Sequence, residues 1–226
     1  MKKLIMLLIS SSLLAGCSTN QEKTPNVSAK EKQEQTEKKE PEESRAKSLN
    51  DIYVPNPQVP DDTSLLSKGQ TISDEKGEME LKGIASVNKV YKIGTIEMKI
   101  KNVKILRNRP VYSLMDYFHP YTENYEDFTY IKTEVEMVNK GQEIVHFGPV
   151  AALKTSSGEK KTFEDDFYIE YLNGSIEPGG SKRGAMGMIL EQGKDGVRWV
   201  ELTTSDVLGQ KHEKAADAVT IKIPVK

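Results

Sequence analysis

The residues able to do chemistry in this chain are few and scattered. Its three histidines, His119, His146 and His212, have no second histidine or cysteine at helical or strand spacing. A zinc site needs three or four converging ligands, so they read as ordinary polar residues. Serines are abundant, but no Gly-x-Ser-x-Gly elbow presents one as a nucleophile. Gly179-Gly180 lacks the following Lys-Ser or Lys-Thr pair of a phosphate cradle, and Gly184-Ala185-Met186-Gly187 reads as the opening of a strand. Glu164, Asp165, Asp166 and Glu170 lack the spacing of a calcium loop and read as a solvated turn. Asp116 with Glu123, or Glu126 with Asp127, supplies the carboxylates for a hydrolase alternative. No catalytic residue, metal ligand or cofactor is assigned.

Cys17 is the single cysteine, and its setting is more informative. Met1-Lys2-Lys3 precedes an apolar run from Leu4 to Leu14 broken only by Ser10, Ser11 and Ser12. Eleven residues are too few to cross a hydrocarbon core as a helix, and the pattern is that of a secretory signal. Leu14-Ala15-Gly16-Cys17 resembles the lipobox of bacterial lipoproteins. That resemblance implies cleavage after residue 16 and a diacylglycerol on the Cys17 thiol. Two acyl chains suffice for stable membrane residence. The expected location is therefore the cell membrane, lipid-anchored, on the extracytoplasmic side. Acylation of Cys17 would leave no thiol for disulfides or thiolate catalysis.

Loss of residues 1–16 would leave 30 basic against 34 acidic side chains, a net charge near −4. Nothing in that balance suits a nucleic-acid partner. Asn20 to Lys47 holds seven Glu and seven Lys or Arg, and Ser18 to Asn50 has no aromatic residue. Such a segment buries too little apolar surface to offset its ordering entropy, which predicts a disordered tether. Residues 17–72 are read as the lipidated cysteine and flexible linker. Tyr53 to Pro60 is extended and proline-rich, either linker or an arm laid along the domain through Ile52, Tyr53 and Val54.

From residue 73 to 226 the pattern is that of short strands. Ile96, Met98 and Ile100 share one face, and the phase then shifts to Val103 and Ile105, which predicts a bulge near Lys101-Asn102. Phe128 to Asn139 alternates Ile131, Thr133, Val135 and Met137 against Lys132, Glu134 and Glu136, and Asn139-Lys140-Gly141-Gln142 turns. Pro149 interrupts the apolar stretch from Ile144 to Leu153. Further strands run around Lys160 to Phe163, Met186 to Leu190, Val197 to Leu202 and Val219 to Ile223. Trp199 is expected as an anchor between sheets. Seven or so strands without a long amphipathic helix predict an all-β domain, a sandwich or barrel.

Between Pro110 and Phe128 lies a long aromatic insert, in which Val111, Leu114, Met115 and Phe118 recur at helical spacing. Tyr112, Tyr117, Phe118, Tyr121 and Tyr125 are its candidate binding surface, because tyrosine joins large contact area to a polar tip. The competing reading is that these rings plug one open end of the sandwich.

Thr129 to Gly141, Leu153 to Glu159 and Ile176 to Gly184 resemble, in order, the long strand with its Asn-Lys-Gly turn, the next hairpin and the Pro-Gly turn of DUF4352-type domains of bacterial lipoproteins. The resemblance spans roughly residues 84–223. It implies an immunoglobulin-like β-sandwich, similar to a secreted mycobacterial antigen, with no established enzymatic role. The expectation is a non-enzymatic, membrane-anchored envelope module that binds a protein or a cell-wall component. Its alternatives are an accessory subunit of an envelope complex and the hydrolase above. A homo-oligomer through exposed sheet edges is a further possibility.

Overall fold

The computed structural model describes residues 54–191 and 196–226. The signal segment, Cys17, the tether, Ile52 and Tyr53 lie outside the described residues. The elements are β1 (Thr71–Asp74), β2 (Gly77–Ile93), β3 (Ile96–Pro110), α1 (Tyr112–Phe118), β4 (Phe128–Asn139), β5 (Val145–Phe147), β6 (Ala152–Thr155) and β7 (Lys160–Thr162). They continue with β8 (Gly174–Ile176), β9 (Ser181–Leu190), β10 (Trp199–Thr203), β11 (Val207–Leu208), β12 (Lys214–Ala216) and β13 (Thr220–Pro224). Short 3₁₀ turns occupy Asp62–Ser64 and Phe163–Asp165. Among the described residues no helix is long and apolar enough to cross a membrane.

The fold is an all-β sandwich of antiparallel sheets. A five-stranded sheet in the order β1-β2-β3-β4-β9 forms one layer, and two four-stranded sheets, β13-β10-β6-β7 and β12-β11-β5-β8, form the other. Ile96, Met98, Ile100, Val103 and Ile105 of β3 and Ile131, Val135 and Met137 of β4 point into the space between the layers. There they meet Leu153, Val200, Leu202 and Ile223 from one small sheet and Val145, Phe147 and Val207 from the other. The alternation read from the sequence orients β3 and β4 as expected. The phase shift in β3 is absorbed at Lys101, since Ile100 faces Val135 while Asn102 already faces Glu134. Pro149 does more than interrupt a strand: it separates β5 from β6, which join different sheets.

Asn139 closes its turn with its side chain. The amide oxygen accepts from the Gly141 N–H at 2.9 Å, and Nδ2 donates to the carbonyls of Glu143 and Ile176. A buried amide is thereby satisfied by backbone on both sides.

Two expectations change. Trp199 is not an anchor between the sheets. Val200 and Leu202 take the buried positions of β10, whereas Trp199 is half-buried with Lys222 Nζ 3.8 Å above its ring. The Trp199 phase of β10 offers the core one apolar residue beside Glu201 and Thr203, whereas the other phase offers Val200 and Leu202, which pair with Ile223 and Ile221. The packed chain also begins before residue 73. Asn56, Val59, Asp62 and Leu65 are buried, so residues 56–65 form an arm on the domain. It docks through Val59 and Leu65, while Val54, one of the residues expected to hold it, is 73% exposed.

This arm, α1 and the segment around Phe167-Tyr168 cover the outer face of the five-stranded sheet. The result is a second core of Met79, Leu81, Leu106, Phe118, Phe128, Tyr130, Phe167, Ala185 and Ile189.

Candidate functional site

The aromatic insert folds as its spacing suggests, with α1 over Tyr112–Phe118, but its rings do not share one surface. Phe118 is fully buried, which removes it from any recognition face. It packs on Phe128 and Phe167 with ring centroids 4.7 and 5.6 Å away. The Tyr117 hydroxyl donates to the Phe167 carbonyl, and burial, aided by Tyr121, pushes that hydroxyl up to about 12. Tyr121 lies over Phe167, Tyr125 stacks on His119, and Tyr112 alone projects, 88% exposed. Four of the five rings thus close the second core or pack within the insert. Asp116 is fully exposed and lies 3.8 Å from His119, so the insert's carboxylates form no buried pair with Glu123.

A cleft of about 710 Å³ opens instead on the outer face of the five-stranded sheet. The arm from Val54 to Asp62 forms one wall, and Tyr168 to Leu172 forms the other. Its floor comes from Lys101, Lys132, Glu134 and the start of β9, Ser181 to Ala185. The sequence reading assigned none of these residues to a site.

At the root of the cleft Asp62 joins two lysines from neighbouring strands. Lys104 Nζ donates to its main-chain carbonyl at 2.7 Å and to Oδ2 at 2.8 Å, and Lys132 Nζ donates to Oδ1. All three residues are buried, at 3, 4 and 5% exposure for Asp62, Lys104 and Lys132. Burial pushes the Asp62 carboxyl up, but the ammonium groups of Lys132 and Lys104 outweigh it and hold the acid below its usual range. Lys132 pairs in register with Lys104 across β3 and β4, a like-charge juxtaposition that needs a carboxylate between. Nearer the mouth, Lys101 bridges Glu134 at 3.1 Å and Glu136 at 2.8 Å.

The outer wall is tied to β9 by side chains and by one isolated antiparallel bridge, Asp166 to Met188. Asp166 Oδ1 accepts from the Gly187 N–H at 2.7 Å and the Tyr168 N–H at 3.1 Å, and the Phe167 N–H donates to the Gly187 carbonyl. Glu170 Oε2 accepts from the Ala185 N–H at 2.9 Å. Lys182 Nζ donates to the carbonyls of Tyr171, Leu172 and Asn173. Burial raises the Asp166 carboxyl despite its amide donors. Burial also raises Glu170, with Asp166 and Glu134 adding to the effect, and lowers Lys182.

Two glycines make this approach possible. A Cβ on Gly187 would sit 2.2 Å from the Tyr168 ring, and one on Gly184 would sit 2.4 Å from Glu170 Oε2. Glycine inside a strand signals close approach of another chain segment, and Gly184 with Gly187 was the sequence mark of this wall. Beyond it, Ile169 and Tyr171 both adopt φ of +52°, a left-handed conformation that is unfavourable for a β-branched residue. The turn holds Tyr171 83% exposed and Ile169 45% exposed at the rim, facing solvent with Val54. Arg183, half-buried in the floor, has no ion pair among the described residues.

The cleft therefore combines an exposed apolar rim with fixed charges. Among the described residues no group of three or more His, Cys, Asp or Glu is arranged to hold a metal ion. His146 and His212, distant in sequence, stack at 4.6 Å between centroids beside the β5–β11 pair.

The chain is 39% identical to the uncharacterized protein YdhF of Bacillus subtilis (strain 168) over 238 aligned positions, which span 99% of each chain. No protein-family model matches it. Among solved structures it is similar to a functionally unknown protein from Listeria monocytogenes EGD-e, at 10% identity and a TM-score of 0.48, over 66% of this chain and 87% of that one. It is also similar to the yjhA protein from Bacillus subtilis, at 12% identity and a TM-score of 0.38, over 61% of this chain and 97% of that one.

Proposed function

This chain belongs to one family with YdhF of Bacillus subtilis, and from that premise we propose that it is a non-enzymatic binding module of the cell envelope, held to the membrane by the lipid on Cys17. Its recognition site is the cleft between residues 54–62 and 168–172, not the aromatic insert. Its partner is an envelope protein or a cell-wall component. The observation that carries this reading is the exposed apolar rim of Val54, Ile169 and Tyr171 above a floor of fixed charges. Exposed aromatic and aliphatic side chains beside a concave surface are costly in water and are repaid by a partner.

A hydrolase is the second reading, and the raised carboxyls of Asp166 and Glu170 beside the cleft favour it. It moves that activity away from residues 116–127. Against it, one oxygen of each acid already holds a β9 amide.

The test compares sedimentation of isolated envelope fragments with the detergent-purified full chain and its Tyr171→Ser/Ile169→Ser variant. The variant should lose about tenfold or more in affinity with an unchanged melting temperature. Tyr112→Ser, on the exposed edge of the insert, should leave binding unaltered. Loss with Tyr112→Ser and none with the rim variant would return the site to the insert. Fragment cleavage by the wild type that Glu170→Gln abolishes would replace binding with hydrolysis.

A further inference from the structure

The edge of β9 is covered along only part of its length. In an antiparallel pair, alternate residues turn their N–H and C=O toward the partner strand and away from it. In β9 the set turned away from β4 includes Gly187 and Ala185, whose amides are taken by Asp166 and Glu170. The same alternation turns the N–H and C=O of Arg183 outward, two residues further along. Neither group is bonded to another described residue, and both lie where β9 lines the cleft. The side chain of Arg183 makes no ion pair among the described residues, since Glu136, opposite it on β4, is held by Lys101; Lys104 and Lys132 beneath the floor are paired as well. One unpaired N–H and C=O thus lie beside a guanidinium that makes no ion pair and an apolar rim.

We propose that the cleft takes an extended peptide, which adds as a strand to the open edge of β9 at Arg183. Main-chain hydrogen bonds to the Arg183 N–H and C=O supply the register. A carboxylate side chain on the peptide meets the guanidinium in bidentate fashion, and a neighbouring apolar side chain rests on Tyr171 and Ile169. The capping by Asp166 and Glu170 sets where the added strand must stop. Lys182, by holding the carbonyls of residues 171–173, fixes the turn that bounds the site. This inference rests on the reading of the cleft as the recognition site.

The test is fluorescence polarisation with the detergent-purified full chain and a short acetylated, fluorescein-labelled peptide. The peptide alternates threonine and valine around one central glutamate. Methylating the peptide nitrogens on the pairing side should weaken binding by about tenfold or more, because those donors are lost. Arg183→Glu should weaken the glutamate peptide by about tenfold or more and restore affinity for the same peptide carrying lysine. Equal binding of the methylated peptide would overturn strand addition while leaving the cleft as the site. No binding of any peptide below about 1 mM would overturn the peptide as occupant. Light scattering that shows a dimer broken by Arg183→Glu would do the same, and would identify a second copy as the occupant. In either case, loss of envelope binding by the rim variant would still support the parent reading.

Discussion

The two faces of the five-stranded sheet are built from the same strands but on different principles. The inner face is largely aliphatic along β3 and β4, with Ile96, Met98, Ile100, Ile105, Ile131 and Val135 packed against two small sheets. The outer face places Lys104, Asn108, Phe128, Tyr130 and Lys132 on those strands and covers them with an arm, a helix and a tied loop. Apolar burial on the inner face is non-directional and tolerates repacking. On the outer face each cover segment is located by directional bonds: Asp62 between two lysines, Asn56 to the Tyr168 carbonyl, Asp166 and Glu170 to β9 amides. The first face secures the fold and the second positions a cleft.

The sharpest way to break the comparison is Asp62→Asn. Removing the charge between Lys104 and Lys132 leaves two buried ammonium groups uncompensated, and should cost about 3–5 kcal/mol in urea unfolding. Ile105→Val on the inner face should cost only about 0.5–1.5 kcal/mol. The pH dependence carries the sign. Because the Asp62 carboxyl is held below its usual range, its contribution is present above the unfolded-state value of about 3.9 and is lost as pH falls through the folded value. Asp166 and Glu170 are raised, so their contribution is full below their unfolded values and fades as pH rises through the folded ones. Asp62→Asn should therefore flatten the acid limb of the stability profile and leave the opposite limb in place. A loss no larger than that of Ile105→Val would dissolve the distinction between the faces.

Gly187→Val tests whether the outer wall depends on close approach. Its side chain would enter the space of the Tyr168 ring, and overpacking of this kind costs about 1–3 kcal/mol. Limited proteolysis should show earlier cleavage within residues 166–172 than in the wild type.

Asn108→Leu has the smallest expected effect and the opposite sign. Both polar atoms of the Asn108 side chain are buried without a hydrogen-bond partner among the described residues. Replacing them with an apolar group of similar size should raise stability by up to about 1–2 kcal/mol, read as a higher melting temperature. A loss of stability would show that the amide is satisfied and that the outer face is more completely ordered by polar contacts.

Much of the inner face was legible because it obeys a local rule. Period-2 alternation marks which residues of β3 and β4 lie together, the phase shift marks the bulge at Lys101, and Pro149 marks the passage between sheets. Helical spacing marked α1 within the insert. The cleft was not legible because its parts are brought together from far apart. Asp62 meets Lys104 and Lys132 across 42 and 70 residues, and Asn56 reaches Tyr168 across 112. The aromatic insert drew attention through composition alone, yet ring content does not distinguish a plug from a face: Phe118 is core and Tyr112 is surface.

The sequence alone left β2 unread but determined the strand grammar of β3 and β4: where they extend, bulge and turn, and which side chains share a side. Those features depend on neighbours within a few residues. What only the tertiary structure decided is what covers each side. It buried Lys132, turned Trp199 outward in favour of Val200 and Leu202, and drew residues 56–65 from linker into wall. The physical reason is that alternation along one strand assigns residues to two faces but carries no information about the burial of either. Burial is set by whichever distant segment can bring a fitting shape and a compensating charge, as Asp62 does for two lysines.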